Sequence, residues 1–226
     1  MKRRSFMGAV GGGVAASVVA RRAAGRPASP NDKIAVAMMG VRSRGKGLTQ
    51  LFSSMPDVDV RYICDVDRNV VGPAVEIAEK AQGRRPEVID DIRRALDDQG
   101  VDAIVIATPT HWHTPAAVLA CEAGKDAYVE KPLSHNYREG QVLAETVERT
   151  KRVVQVGTQS RSRPITQRLV KMLQSGRIGT VHMAKVANIE YRPDIGHLAD
   201  EPVPEGVNYD LWTGPAPMLP FNRNHF

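Results

Sequence analysis

Apolar strand-like runs alternate with amphipathic segments between residues 33 and 157 of this 226-residue chain. Because helical crossovers join successive strands, the strands must lie parallel in one sheet with helices on both faces. The run DAIVIAT (102–108) lacks polar alternation and predicts a strand buried on both faces. The other predicted strands are KIAVAMM (33–39), VDVRYIC (58–64), VID (88–90), DAYVE (126–130) and RVVQVG (152–157). The sequence therefore predicts an α/β fold with a doubly wound parallel sheet of the Rossmann type.

The pattern changes after residue 157. The segment 165–179 predicts a helix, TVHMAKVANIEY (180–191) predicts a long strand, and residues 192–226 are rich in proline and asparagine. One helix and one strand cannot bury both faces of that strand. We therefore predict one full domain at 33–158 and the start of an incomplete α+β domain at 159–226.

The first 26 residues have a composition of their own. Six of the 31 basic residues lie there, and no acidic residue precedes Asp32. A basic start, a short apolar run and RRAAG predict an export signal at 1–26, followed by a linker at 27–32. The pair Arg3-Arg4 is typical of the bacterial twin-arginine signal, which predicts an exported, periplasmic protein. A disordered basic tail and an uncleaved anchor are the alternatives.

Charge and hydropathy argue against a nucleic-acid partner and a membrane span, and the positions of the cysteines argue against a disulfide. The formal net charge of +6 resides in the leader, and the rest of the chain is balanced, so we expect no nucleic-acid partner. The apolar run of the leader is short and rich in glycine, so we expect no stable membrane span. Cys64 ends a predicted strand and Cys121 lies in a predicted helix, which favours two buried thiols over a disulfide.

The loop GVRSRG follows the first strand. In a dinucleotide-binding loop the first glycine allows a tight turn, the middle one allows the pyrophosphate to approach, and the third allows close helix packing. Here Arg42 takes the middle place, where a guanidinium can bind the pyrophosphate through charge-assisted hydrogen bonds. An ordinary strand–turn–helix would show the same glycines. The predicted phosphate-binding residues are Gly40, Val41, Arg42, Ser43, Arg44 and Gly45.

Asp65 ends the second predicted strand, twenty residues after Gly45. An acidic residue at this place binds the hydroxyl groups of the adenosine ribose. Its charge repels a 2′-phosphate, so NAD is the predicted cofactor. NADP stays possible because Arg42, Arg44 and Arg68 are close in sequence. A helix cap or a turn is the structural alternative for Asp65.

The segment ATPTHWH leaves the carboxyl end of the fourth strand, where ligands bind in open α/β sheets. Thr108 and Pro109 predict a rigid turn near the nicotinamide, and His113 is a candidate for contact with the cofactor. Two histidines without a third ligand nearby are a poor metal site, so we predict no metal. In the alternative interpretation, His111 is exposed to solvent and Thr114 caps the next helix.

The segment YVEKPLS places Glu130 and Lys131 at the end of the fifth strand. A lysine at this sheet edge can donate a hydrogen bond to a substrate hydroxyl and lower its proton affinity while a hydride leaves. Lys131 is therefore the candidate catalytic residue. A surface salt bridge beside a turn proline is the alternative.

Together, GVRSRG, CDVD, DAIVIATPTHWH, AGKDAYVEKPLS and VGTQSRS resemble the Gfo/Idh/MocA family of oxidoreductases, from about residue 33 onward. The resemblance implies an NAD(P)-dependent enzyme acting on CH–OH groups of a sugar or polyol, and a homo-oligomer for the full-length protein. It also implies that residues 159–226 begin the substrate and dimerisation domain. Lys131 would contact the substrate and the nicotinamide ribose, Glu130 would help to hold the cofactor, and Gln159 and Arg161 would lie at the passage into the substrate domain.

One departure from the family limits what the chain can do. Family members carry a G-x-x-x-D-x-x-x-H pattern with the acid–base histidine, and no such pattern precedes Phe226. We therefore expect residues 27–226 alone to lack turnover. Two other functions stay open: a redox-neutral glycoside hydrolase with bound NAD, and a module that binds NAD without catalysis.

Overall fold

The computed structural model describes residues 33–187 and 189–226. The predicted export signal at 1–26 and the predicted linker at 27–32 lie outside these residues. In the described part of the chain, no helix is long and apolar enough to cross a membrane.

A parallel six-stranded sheet in the order β3-β2-β1-β4-β5-β6 forms the centre of the fold. The chain moves outward from β1 to β3, returns to place β4 beside β1, and then moves outward to β6. The predicted doubly wound fold is therefore confirmed, and the direction reverses between β1 and β4, where such sheets open a ligand-binding crevice. The strands are β1 (Ile34–Met39), β2 (Val58–Cys64), β3 (Glu87–Ile89), β4 (Ala103–Ile106), β5 (Asp126–Glu130) and β6 (Val154–Gly157).

Helices cover both faces of the sheet. The crossover after β4 contains a short 3₁₀ turn, Thr110–Trp112, before its helix begins. That helix ends at Glu122, two residues before Gly124, whose φ of 75° gives the stop predicted from the sequence. The helices are α1 (Ser43–Ser53), α2 (Gly72–Gln82), α3 (Arg93–Asp97), α4 (His113–Glu122), α5 (Tyr137–Thr150), α6 (Pro164–Gln174) and α7 (Tyr209–Thr213).

Alternate residues of the central strands are buried in two separate hydrophobic cores, one on each face of the sheet. Val36 and Met38 of β1 pack with α1 and α2, whereas the residues between and after them pack with α3, α4 and α5. In β4, Val105 packs in the core formed with α1 and α2, and Ile104 packs in the core formed with α3, α4 and α5. Burial of each valine, isoleucine or methionine side chain among them stabilises the fold by about 1.5–3 kcal/mol. This two-sided burial explains why DAIVIAT has no polar alternation.

The two cysteines are free and buried, as predicted. Burial raises the pKa of the Cys64 thiol, and Asp65 raises it further. Burial also raises the pKa of Cys121. Neither thiol is therefore ionised near neutral pH.

The predicted strand at 180–191 is wrong. The described residues of this segment form no strand, and their side chains are exposed, with Val186 at 93% and Ile189 at 90% of their full accessible area. A strand needs a neighbouring strand to pair its backbone N–H and C=O groups, and no described residue supplies one here. The helix predicted before it is confirmed as α6. The domain boundaries at 158 and 159 stay predictions.

We predict that Gly45→Ala and Gly47→Ala have opposite effects on stability. A Cβ on Gly45 would overlap the carbonyl oxygen of Gly40, whereas a Cβ on Gly47 would meet open space. We expect Gly45→Ala to lower the free energy of unfolding by about 3 kcal/mol. Gly47→Ala, the matched control on the same helix, should raise it by about 0.5–1 kcal/mol. Urea unfolding followed by circular dichroism measures both, and equal effects would contradict the predicted contact.

Candidate functional site

The glycine loop joins the end of β1 to the first turn of α1. Gly40 has a φ of 80°, a conformation that favours glycine. A Cβ there would lie 2.8 Å from the Thr108 nitrogen, so the loop runs directly beside the end of β4. The side chain of Arg42, the N-cap of α1, makes no capping hydrogen bond, and Ser43 is exposed at the first position of the helix. The amides of this first turn are therefore available to an anion.

The Asp65 carboxylate ties this loop to the end of β2. Its Oδ2 accepts a hydrogen bond from the Val41 nitrogen at 2.8 Å, and its Oδ1 accepts one from the Asp67 nitrogen at 3.0 Å. Burial raises the pKa of Asp65, and the two backbone hydrogen bonds oppose that rise. Each carboxylate oxygen can accept a further hydrogen bond, so the predicted ribose ligand retains acceptor capacity.

The Arg42 side chain does not extend toward the pyrophosphate position for which the sequence predicted it. Its Nη2 lies 2.6 Å from Oδ2 of the buried Asp67, and its guanidinium lies over the Phe226 ring, 5.1 Å from the centroid. The side chain therefore extends toward the end of β2, which is the adenosine side of a dinucleotide site, rather than back over the pyrophosphate position. Sequence reasoning missed Asp67 as a site residue, although it is the second aspartate of CDVD.

A cavity of about 250 Å³ opens at the carboxyl ends of β1, β2 and β4. The predicted residues Gly40, Thr108 and Pro109 line it together with Arg42 and Asp65. Four carboxylates border the cavity, from Asp65, Asp67, Asp90 and Asp91. Because these charges repel anions, the cavity favours a neutral, hydroxyl-bearing ligand group over an additional phosphate.

The Thr108 hydroxyl is the clearest sign that the cavity takes a polar ligand. Its Oγ1 is buried and has no hydrogen-bond partner among residues 33–187 and 189–226. Leaving such a group unsatisfied costs about 1–3 kcal/mol. A ribose hydroxyl or a phosphate oxygen in the cavity would provide the partner. The open helix amides, the free acceptor capacity of Asp65 and the Thr108 hydroxyl therefore fit a nicotinamide dinucleotide.

Arg44 and Glu130 form an ion pair that joins α1 to the end of β5. Both Nε and Nη2 of Arg44 donate to Oε1 of Glu130, at 2.8 and 2.6 Å. The Tyr128 hydroxyl donates to the same oxygen at 3.3 Å. The ion pair raises the pKa of Arg44. A Cβ on Gly157 would lie only 2.7 Å from Oε1, so the glycine leaves the space that this carboxylate occupies.

Lys131 and Gln159 lie at the carboxyl ends of the neighbouring strands β5 and β6. Both side chains are exposed, and Gln159 begins a 3₁₀ turn, Gln159–Ser162, that also contains the exposed Arg161. Within the described residues, the Lys131 ammonium has no ion-pair partner. The predicted catalytic lysine is therefore exposed at the edge of the sheet where β5 and β6 end.

The two histidines of THWH both make contacts with backbone oxygens that the sequence did not predict. His113 is buried and does not line the cavity, since its Nδ1 lies 2.6 Å from the Pro132 oxygen and its Nε2 lies 2.9 Å from the Thr108 oxygen. It joins the loops after β4 and β5 instead of contacting a cofactor. His111, expected to be exposed, has its Nε2 2.7 Å from the Trp212 oxygen. Thr114 lies inside α4 and donates to the Leu133 oxygen, so it does not cap that helix.

Among the residues that the structure describes, no cluster of three or more histidine, cysteine, aspartate or glutamate side chains could hold a metal ion.

We predict that Arg44→Met destabilises the chain much more than Arg85→Met does. Removing Arg44 leaves the buried Glu130 carboxylate with the Tyr128 hydroxyl as its remaining partner, and we expect the free energy of unfolding to fall by about 2–3 kcal/mol. Arg85 pairs with Glu79 at an exposed site, where the loss should stay below about 1 kcal/mol.

Chemical denaturation of both variants measures the difference. Adding Glu130→Gln to Arg44→Met should recover part of the loss, because it removes the unpaired charge. Equal losses for Arg44→Met and Arg85→Met would show that the Glu130 carboxylate does not depend on Arg44.

Curated relatives match about half of the chain. It is 34% identical over 123 residues to the alpha-N-acetylgalactosaminidase of Shewanella oneidensis and, over the same length, to a glycosyl hydrolase family 109 protein of Shewanella sp. strain ANA-3. Each alignment covers 53% of this chain and 27% of the relative. The match therefore spans about a quarter of the length of these relatives.

Solved structures share the fold. The myo-inositol 2-dehydrogenase of Lactobacillus plantarum superposes with a TM-score of 0.58 at 23% identity, covering 66% of this chain and 43% of that one. GenD2 from gentamicin A biosynthesis, solved in complex with NAD, gives 0.59 at 25% identity and covers 67% and 42%. The family model described as an oxidoreductase family with an NAD-binding Rossmann fold matches residues 34–158, more than half of the chain. The chain therefore belongs to the Gfo/Idh/MocA oxidoreductase family.

Proposed function

We propose that this chain forms the cofactor site of an NAD-dependent oxidoreductase that transfers a hydride between nicotinamide and a CH–OH carbon of a sugar or polyol. The observation that carries the proposal is the cavity at the β1–β4 switch point, bounded by the glycine loop, Asp65 and the unsatisfied Thr108 hydroxyl. The polyol dehydrogenase named among the structural neighbours supports the substrate class.

The residues of the cavity divide the binding of the cofactor between them. The amides of the first turn of α1 hold the pyrophosphate, and the Asp65 carboxylate accepts hydrogen bonds from the adenosine ribose. Asp67, Asp90 and Asp91 lie beside Asp65 and would repel a 2′-phosphate, which supports NAD over NADP. When bound, the dinucleotide supplies the hydride acceptor and donor.

Lys131 acts on the substrate. Its ammonium donates a hydrogen bond to the reacting hydroxyl and stabilises negative charge on that oxygen as the proton leaves. The Arg44–Glu130 pair fixes the end of β5 immediately before Lys131, so the backbone at the base of the lysine is held in place while its side chain stays free.

A redox-neutral glycoside hydrolase is the second candidate, and the names of the curated relatives favour it. In that reaction the hydride returns to the sugar after the glycosidic bond breaks, so the cofactor shows no net reduction. A protein that binds NAD without turnover is the third candidate. The three differ in what is released, since only a dehydrogenase accumulates reduced nicotinamide and only a hydrolase frees an aglycone.

We also propose that the full-length protein is exported and forms a homo-oligomer. The twin arginines and the short apolar run before residue 27 support export, because such a leader is read by the route for folded proteins. Export of a reporter fused to residues 1–32, lost when both Arg3 and Arg4 become lysine, tests this proposal. A reporter that stays in the cytoplasm would contradict it.

We predict that Asp65→Asn weakens NAD binding by about 10- to 100-fold, because a charged acceptor of ribose hydroxyls is lost. The substitution should also lower the ratio of the NADP dissociation constant to the NAD dissociation constant. Calorimetry on ligand-free chain measures both dissociation constants, with the exposed Asp194→Asn as the control. A wild-type chain that binds neither dinucleotide would overturn the proposed function.

We predict that Lys131→Met lowers kcat of the full-length protein by about 10²- to 10³-fold, the usual contribution of one hydrogen-bond donor that stabilises developing negative charge. The exposed Lys80→Met is the control and should leave kcat unchanged. Reduced-nicotinamide absorbance with inositols and free sugars reports dehydrogenation, and nitrophenol release from an α-N-acetylgalactosaminide reports hydrolysis. Full activity of Lys131→Met in both assays would exclude the role given to this lysine.

A further inference from the structure

A segment outside the region matched by the family model crosses the carboxyl edge of the sheet. This segment, residues 205–226, is called the strap here. It is joined first to the loop after β2: the Asn208 nitrogen donates to the Val66 oxygen at 2.7 Å, and the Arg68 nitrogen donates to the Gly206 oxygen at 2.9 Å. The strap therefore begins on the adenosine side of the switch point.

The strap is then joined to the loop after β4. The indole nitrogen of Trp112 donates to the Leu211 oxygen at 2.8 Å, and the His111 ring lies 2.7 Å from the Trp212 oxygen. Because β2 and β4 lie on either side of β1, these two attachments carry the strap across the end of β1 and over the cavity. Both contacts use backbone oxygens of the strap, and the Trp212 ring itself packs against the rings of Tyr209 and His111.

The aromatic rings of the strap form a cluster. Tyr209 and Phe221 are buried and anchor it, with their rings 5.2 Å apart. Trp212 and Phe226 are half-buried, 5.4 Å apart, and both line the cavity. The guanidinium of Arg42 lies over the Phe226 ring. Two aromatic rings and a guanidinium thus border the cavity opposite the sheet.

We propose that Trp212 and Phe226 of the strap, together with Arg42, bind the adenine ring of the dinucleotide. This inference rests on the proposed function and adds Trp212 and Phe226, which lie beyond the matched residues 34–158. Aromatic faces and guanidinium planes are the groups that proteins stack on nucleobases. Asp65, the ribose ligand, lines the same cavity, so the base attached to that ribose lies within reach of the strap. A base held between sheet and strap leaves slowly, which suits a cofactor that is kept between turnovers.

The test compares Phe226→Leu with Phe226→Tyr in binding to NAD and to ADP-ribose, which carries the adenosine half without nicotinamide. We expect Phe226→Leu to weaken both ligands about tenfold or more, and Phe226→Tyr to bind them as the wild type does. Trp212→Leu should match Phe226→Leu, because its backbone contacts are unchanged. Tyr191→Leu, at a residue 87% exposed, is the control.

The outcomes separate the strap from the proposed function. Wild-type affinity in Phe226→Leu and Trp212→Leu, or an equal loss in Phe226→Leu and Phe226→Tyr at unchanged melting temperatures, would overturn the role of the strap while NAD binding stands. A wild-type chain that binds neither NAD nor ADP-ribose would overturn the proposed function itself.

Discussion

The close approach of α1 to the end of β1 is the constraint on which the site depends. Gly45 faces the backbone of Gly40 so closely that no side chain fits between them, and Gly40 in turn faces Thr108. These contacts bring the first turn of a helix, the end of β1 and the end of β4 to one place. Asp65 then fixes the loop from the β2 side through the Val41 amide. The open amides of α1 and the Asp65 carboxylate, proposed to bind the ribose, are thereby adjacent.

The two arginines of GVRSRG form ion pairs on opposite sides of the glycine loop. Arg42 pairs with Asp67 toward β2, and Arg44 pairs with Glu130 toward β5. Both carboxylates are buried, so each needs its cation to offset the cost of removing it from water. The arginine in the middle of the loop therefore replaces a glycine without filling the pyrophosphate position, because its side chain extends to the side of the loop.

The strap adds a second layer to an otherwise open crevice. A Rossmann sheet presents the adenosine half of its cofactor to solvent unless another segment covers it. Here residues 205–226 place two of their aromatic rings against the cavity and are attached to loops on both sides of β1. The histidine and tryptophan of THW hold this segment, which gives His111 and Trp112 a clear structural use. The proposed oxidoreductase and the proposed hydrolase both benefit from such cover, since each has to keep one cofactor through a cycle.

The sequence by itself determined that the sheet is parallel and doubly wound. It also determined that Gly40, Asp65, Thr108 and Lys131 lie at the carboxyl ends of its strands. These follow from local periodicity and from the rule that parallel strands end at one edge, which requires no knowledge of distant contacts. Only the tertiary structure decided the partners of Arg42, Arg44 and His113, because pairing depends on loops far apart in sequence. It also decided that residues 180–191 form no strand within the described chain, since a strand needs a neighbour that periodicity alone cannot supply. The strap could not be predicted from the sequence either. A segment without periodicity acquires its structure from the surface on which it lies.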